Sequence, residues 1–93
     1  MKTVTVIIGN SDDKLSQSRW SAFVNCVALR IGELAKQVHF SGSSSNSAPW
    51  QNHAWVFEID DKNAAVLSLE IALEGNHFDK NTVAWIEGKT EFI

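Results

Sequence analysis

The chain has one cysteine, one proline and no tyrosine in 93 residues. A lone thiol, Cys26, excludes an internal disulfide and fits a reducing, cytoplasmic compartment. The three histidines, His39, His53 and His77, are widely spaced. With a single cysteine they give no ligand pair at zinc-binding spacing. Lys and Arg number 8 against 11 Asp and Glu, for a net charge of −3. That balance argues against direct nucleic-acid binding, which needs a dense basic footprint. No apolar run approaches the roughly 20 residues of a membrane-spanning helix. Met1-Lys2 leads into a strand pattern rather than a signal peptide, so no membrane association is expected. Gly9-Asn10-Ser11 lacks the second glycine and the Gly-Lys-Ser/Thr close of a phosphate-binding loop. No cofactor is implied.

What is present suits one small domain spanning residues 1–93. Hydrophobic residues make up 44% of the chain, with four Trp and five Phe. Large aromatic side chains supply core area economically at this length.

Periodicity divides the chain into six segments. Lys2 to Ile8 is mostly β-branched and reads as a strand, with Val4, Val6 and Ile8 on one face. Gln17 to Lys36 reads as a helix capped by Ser16, with Asp12 or Asp13 as alternative caps. Its stripe is Trp20, Phe23, Val24, Val27, Ile31, Leu34 and Ala35. Cys26 falls at the stripe's border and reads as a small half-buried apolar residue. Val38 to Phe40 reads as a short strand running into the Ser-rich segment 41–47. His53 to Asp60 alternates as a strand.

Asp61 to Leu73 fits two periods. Leu67, Leu69, Ile71 and Leu73 alternate as in a strand, yet Ala65, Val66, Leu69, Ala72 and Leu73 form a helical stripe. Ala, Leu and Glu favour the helix, capped at Asp60 or Asp61 and ended by Gly75. On that stripe Leu67 and Ile71 lie on the opposite side, exposed or against a partner. Thr82 to Ile86 reads as the last strand, with Gly88 a bulge or bend and 89–93 a continuation.

The order strand, helix, strand, strand, helix, strand is that of the α+β ferredoxin-like βαββαβ fold. It predicts a four-stranded antiparallel sheet with two helices on one face. The loops 9–16, 41–52 and 75–81 then share one end of the sheet. They carry Asn10, Ser11, Asp12, Asp13, Trp50, Gln51 and Asn52, small polar groups beside an aromatic plate. That is the composition of a ligand or partner site. Gly9 permits a sharp turn or close approach. The carboxamides can donate and accept, and Trp50 can stack or face a cation. Asp12 and Asp13 bias the end against anions, towards a polar, neutral or cationic group or a basic protein patch. As adjacent carboxylates they diverge, and acids near a helix start are expected for the dipole alone, so no metal site is read there. A base near Ser11, Ser16 or Cys26 would be needed for nucleophilic catalysis; His53 and His77 are the candidates to approach Ser11. Glu58 and Glu87 interrupt apolar strands, as a polar patch on the open sheet face beside Trp85.

The strings Gly9-Asn10-Ser11-Asp12-Asp13-Lys14-Leu15, Pro49-Trp50-Gln51-Asn52 and Ala84-Trp85-Ile86-Glu87-Gly88 resemble those of a loose group of short bacterial and mobile-element-borne proteins. The resemblance spans most of the chain and implies no activity. It implies a helical second segment and a helix start at Ser16. Arg19 stands where a Glu or Gln would complete a capping box.

Three functions are compatible with these features. One is a non-catalytic binding protein using the loop end for a small polar ligand or a protein partner. Another is a cofactor-free enzyme of the dimeric α+β barrel type. A third is an acidic accessory protein blocking a host nucleic-acid-binding protein. Apolar content on both sheet faces, with Leu67 and Ile71, predicts a homodimer.

Overall fold

The computed structural model describes residues 1–10, 15–44, 51–78 and 83–88. Their elements are β1 (Lys2–Gly9), α1 (Gln17–Leu34), β2 (Gln37–Ser43), β3 (Asn52–Ile59), α2 (Asp61–His77) and β4 (Val83–Gly88). The strands form one antiparallel sheet in the order β2-β3-β1-β4. Two helices cover one face of it. This is the α+β ferredoxin-like arrangement.

The alternation of β1 and β3 divides them into two faces. Val4, Val6 and Ile8 of β1 and Trp55, Phe57 and Ile59 of β3 are buried beneath the helices. Helix α1 starts where its cap forms. Ser16 is extended, at φ −63° and ψ 165°, and its Oγ accepts the Arg19 N–H at 3.3 Å. From there Trp20, Phe23, Val27 and Ile31 descend into the core at helical spacing. Helix α1 ends as the Ala35 N–H bonds back to Ile31 O and the Lys36 N–H crosses to Glu58 O.

Helix α2 corrects the expected packing. Its buried residues are Ala64, Leu67, Ile71 and Gly75. Leu67 and Ile71, expected outside, are at 0% and 1% exposure, while Leu69 and Leu73 are at 64% and 59%. Gly75 does not end the helix but lies buried inside it, and α2 runs on to His77. Phe78 then turns inward and packs on Phe23 with ring centroids 5.2 Å apart. That contact, together with the side-chain-free Gly75, selects the inner stripe.

Three strand readings also change. Strand β2 extends through Ser41, Gly42 and Ser43, so the Ser-rich run begins inside the sheet. The irregularity lies between Val38 and Phe40, not at Gly88, which pairs with Thr3 in unbroken register. The Phe40 ring lies over Gly42: a Cβ there would sit 2.7 Å from Phe40 Cζ, so a larger residue would displace this exposed ring. Trp85 belongs to the helix-covered side, edge-on to Phe57 at 6.3 Å, and not to the open face. Its Nε1–H donates to Glu87, which also takes Lys2 at 3.2 Å. Residues 89–93 lie outside the described residues.

The open face of the sheet is mixed. Thr3, Thr5 and Ile7 alternate with the buried positions of β1, and Ala54, Val56 and Glu58 lie opposite them on β3. Thr3 Oγ1 donates to Glu58 Oε1 at 2.8 Å, and His39 Nε2 lies 3.3 Å from the same oxygen. Phe40 and Ile86 are the large apolar side chains exposed at its two edges. Among the described residues, no helix is long and apolar enough to cross a membrane.

Candidate functional site

The end of the sheet where β1 stops and β3 starts is held by one carboxamide. Gly9 pairs with Asn52, and the Asn10 N–H donates to Gln51 O at 2.8 Å. Asn10 is the buried polar residue of the core boundary, at 3% exposure. Its side chain imitates a strand partner. Nδ2 donates to Leu15 O at 3.0 Å while Oδ1 accepts the Leu15 N–H at 3.1 Å. Leu15 is itself buried in the core. The two ends of the 11–14 segment are therefore tied by a pair of buried hydrogen bonds. Losing a buried partner of this kind costs about 1–3 kcal/mol.

Asn10 also reaches outward. Its Nδ2 lies 3.3 Å from Gln51 Oε1. Gln51 and Gln17 then face each other amide to amide, with Gln17 Nε2 donating at 3.0 Å and Gln51 Nε2 donating back at 2.8 Å. Gln17 is exposed and Gln51 half-buried. The result is a neutral carboxamide row running from the core to the surface, over the start of α1.

Beside it, β2 and β3 close on each other through Ser44 and Asn52. The Ser44 N–H donates to Asn52 O at 2.9 Å, and Ser44 Oγ accepts the Asn52 N–H at 3.0 Å. Asn52 Oδ1 comes within 2.7 Å of where a Gly9 Cβ would stand. The glycine therefore lets this carboxamide fold across β1.

The structure brings Asn10, Gln51 and Asn52 together from sequence-distant strings. Ser11, Asp12, Asp13 and Trp50 lie outside the described residues. The expected loop spans shrink: Ser41–Ser43 and Asn52 belong to strands, and residues 75–77 to α2. Gln17, at the first position of α1, completes the row and was not singled out from sequence. Its signal is its place directly after the Ser16 cap, at the sheet end shared with Gln51.

The histidines are engaged within the chain. His53 is tilted against the Trp55 ring at 4.3 Å, and its Nε2 lies 3.0 Å from Ser41 Oγ. Partial burial lowers its pKa from the ordinary 6.5. This serine–histidine contact follows from the β2–β3 register, which pairs Ser43 with His53 and Ser41 with Trp55. His77 stands edge-on to Phe78 at 5.0 Å. Cys26 is half-buried, and burial, followed by the charge and hydrogen bond of Glu74, raises its pKa above the ordinary 9.0. A thiol held in that state is a poor nucleophile at neutral pH. Among the described residues no group of three or more His, Cys, Asp or Glu is placed to hold a metal ion.

No protein-family model matches the chain, and no curated protein matches it.

Proposed function

We propose that the protein is a non-catalytic binding protein, accessory in role and cytoplasmic, that acts as a homodimer. It contacts a polar ligand or protein partner through its loop end. The contact set is Asn10, Ser11, Asp12, Asp13, Trp50, Gln51 and Asn52, to which we add Gln17 because it hydrogen-bonds Gln51. The observation that carries this reading is the carboxamide row. Buried Asn10 fixes Gln51, Gln51 fixes Gln17, and the exposed amide keeps donor and acceptor capacity beyond the pair. Such a surface is pre-organised, so less side-chain entropy is lost when it binds.

The alternatives draw less support. Val4, Val6, Phe23, Val27, Phe57, Ile59 and Leu67 are all at 0% exposure. They fill the space between sheet and helices that a barrel-type enzyme uses for its substrate. An acidic decoy needs unpaired carboxylates. Among the described residues, Asp61 and Glu87 pair with Lys2, Glu33 and Glu74 with Arg30, Asp60 with Lys36, and Glu58 faces His39, which leaves Glu70 as the carboxylate outside these pairs, with one oxygen buried.

The test is a double substitution, Asp12→Ala with Trp50→Ala, and a second, Gln17→Ala with Gln51→Ala. Fold is followed by circular dichroism and binding by pull-down against the wild-type partner set. Loss of specific partners with the fold intact is the expected result. Retention of every wild-type partner by both variants refutes the loop end as the site.

A further inference from the structure

The outer face of α2 carries an apolar stripe that the fold leaves uncovered. Val66, Leu69 and Leu73 are 44%, 64% and 59% exposed, and Ala65 and Ala72 are exposed beside them. These five residues span two turns without a charged side chain. The helix is apolar on its inner side as well, through Ala64, Leu67, Ile71 and Gly75. A surface helix normally carries one apolar stripe, facing the core, with polar residues opposite it; α2 carries a second apolar stripe on the side that should be polar. The two glutamates of α2 are withdrawn from the stripe. Glu74 is held by Arg30 at 3.5 Å, on the side of α1, and Glu70 Oε2 is buried.

We propose that this stripe is the dimer face, with α2 of one copy packed antiparallel on α2 of a second about a two-fold axis at Leu69. The inference rests on the homodimer reading above and gives it a surface and a register. The order of side chains identifies the occupant. Under that axis, positions equally far before and after Leu69 face one another. Leu69 meets Leu69, Val66 meets Ala72, and Ala65 meets Leu73. Off the axis each large side chain opposes a small one, and on the axis the two Leu69 side chains meet each other. That is the self-complementarity of a two-fold interface, and the same patch must serve both subunits. The alanines allow close approach, within the 8–10 Å separation of packed helices. Charge agrees with shape. Two chains of net charge −3 repel, and this uncharged seam is where they can meet. At its ends Lys62 faces Asn76 of the second copy, setting a cation against the negative C-terminal end of the opposing helix.

The experiment uses the full chain with Cys26→Ser, so that an introduced thiol is the only one. Leu69→Cys is oxidised in solution, and non-reducing gels are read beside light scattering. Ile86→Cys, on the open sheet face, is the control. A dimer mass with covalent dimer from Leu69→Cys and none from Ile86→Cys is expected. A mixture of Val66→Cys and Ala72→Cys chains then forms a covalent heterodimer. Leu69→Glu, which leaves the core untouched, becomes monomeric with an unchanged circular dichroism spectrum. A dimer mass with cross-linking at Ile86→Cys alone overturns this face and leaves the homodimer standing. A monomer mass at millimolar concentration overturns both.

Discussion

Helix α2 has two apolar stripes with opposite fates. Ala64, Leu67 and Ile71 are sealed against the sheet and α1, while Val66, Leu69 and Leu73 stand in solvent. Their residue types hardly differ. The sheet repeats the contrast. Its inner face is all apolar at Val4, Val6, Trp55 and Phe57, whereas its outer face mixes Thr3, Glu58 and His39 with Val56 and Ile86. A mixed outer face is what an antiparallel sheet shows to water. An all-apolar outer helix face is not. The comparison teaches that residue type does not decide which stripe the monomer buries; position on the helix does.

The largest effect expected from this contrast is at Leu67. Leu67→Ala leaves a cavity in the core and should cost about 2–5 kcal/mol in urea melts. Leu69→Ala, two residues further on but on the outer stripe, should change monomer stability by less than about 0.5 kcal/mol. Equal losses at the two positions would break the comparison. Phe23→Ala, beneath Phe78, should cost roughly 3–5 kcal/mol by the same measurement.

Carboxamides give the polar version of the test. Asn10→Ala strands the Leu15 N–H and C=O in a buried setting and should cost about 1–3 kcal/mol. Gln17→Ala removes an exposed group and should stay within about 0.5 kcal/mol while weakening partner binding. A melt of Asn10→Ala that matches wild type would remove the clamp from the account.

The smallest effect concerns His53. Partial burial lowers its folded pKa below the ordinary 6.5, so the unfolded chain takes up the proton first as pH falls. Its contribution is complete above pH 6.5 and is lost as pH drops from there towards the folded value. An NMR titration of its ring protons should give a midpoint below that of the unfolded chain, and His53→Gln should flatten this part of the stability profile. A midpoint above 6.5 would mean that a carboxylate, not burial, governs the ring.

Much of this fold was legible because single periods dominated. Lys2 to Ile8, the α1 stripe and the alternation of Trp55, Phe57 and Ile59 each point one way, and Ser16 caps where its side chain implies. Helix α2 defeated the same method because two stripes coexist on it. Period alone cannot choose between Leu67 and Leu69. The choice is made by Gly75 and by Phe78 meeting Phe23, a contact distant in sequence. Trp85 was misplaced for a related reason: its strand is short, and Val83, Trp85 and Glu87 do not declare which face is inner until Glu87 is seen bound to the Trp85 indole and Lys2. At the loop end the meeting of Asn10 with Gln51 followed from topology. The burial of Asn10 did not, because a carboxamide beside a glycine reads equally well as a solvated turn.

The central claim is that α2 uses its inner stripe to fold and its outer stripe to associate. Urea unfolding at a series of protein concentrations tests it most directly, because association stabilises the folded state by mass action. The account predicts a wild-type midpoint that rises with concentration, a Leu69→Glu midpoint that does not, and a Leu67→Ala midpoint lowered throughout. A wild-type midpoint independent of concentration, or a Leu69→Glu variant that keeps the dependence, would contradict it.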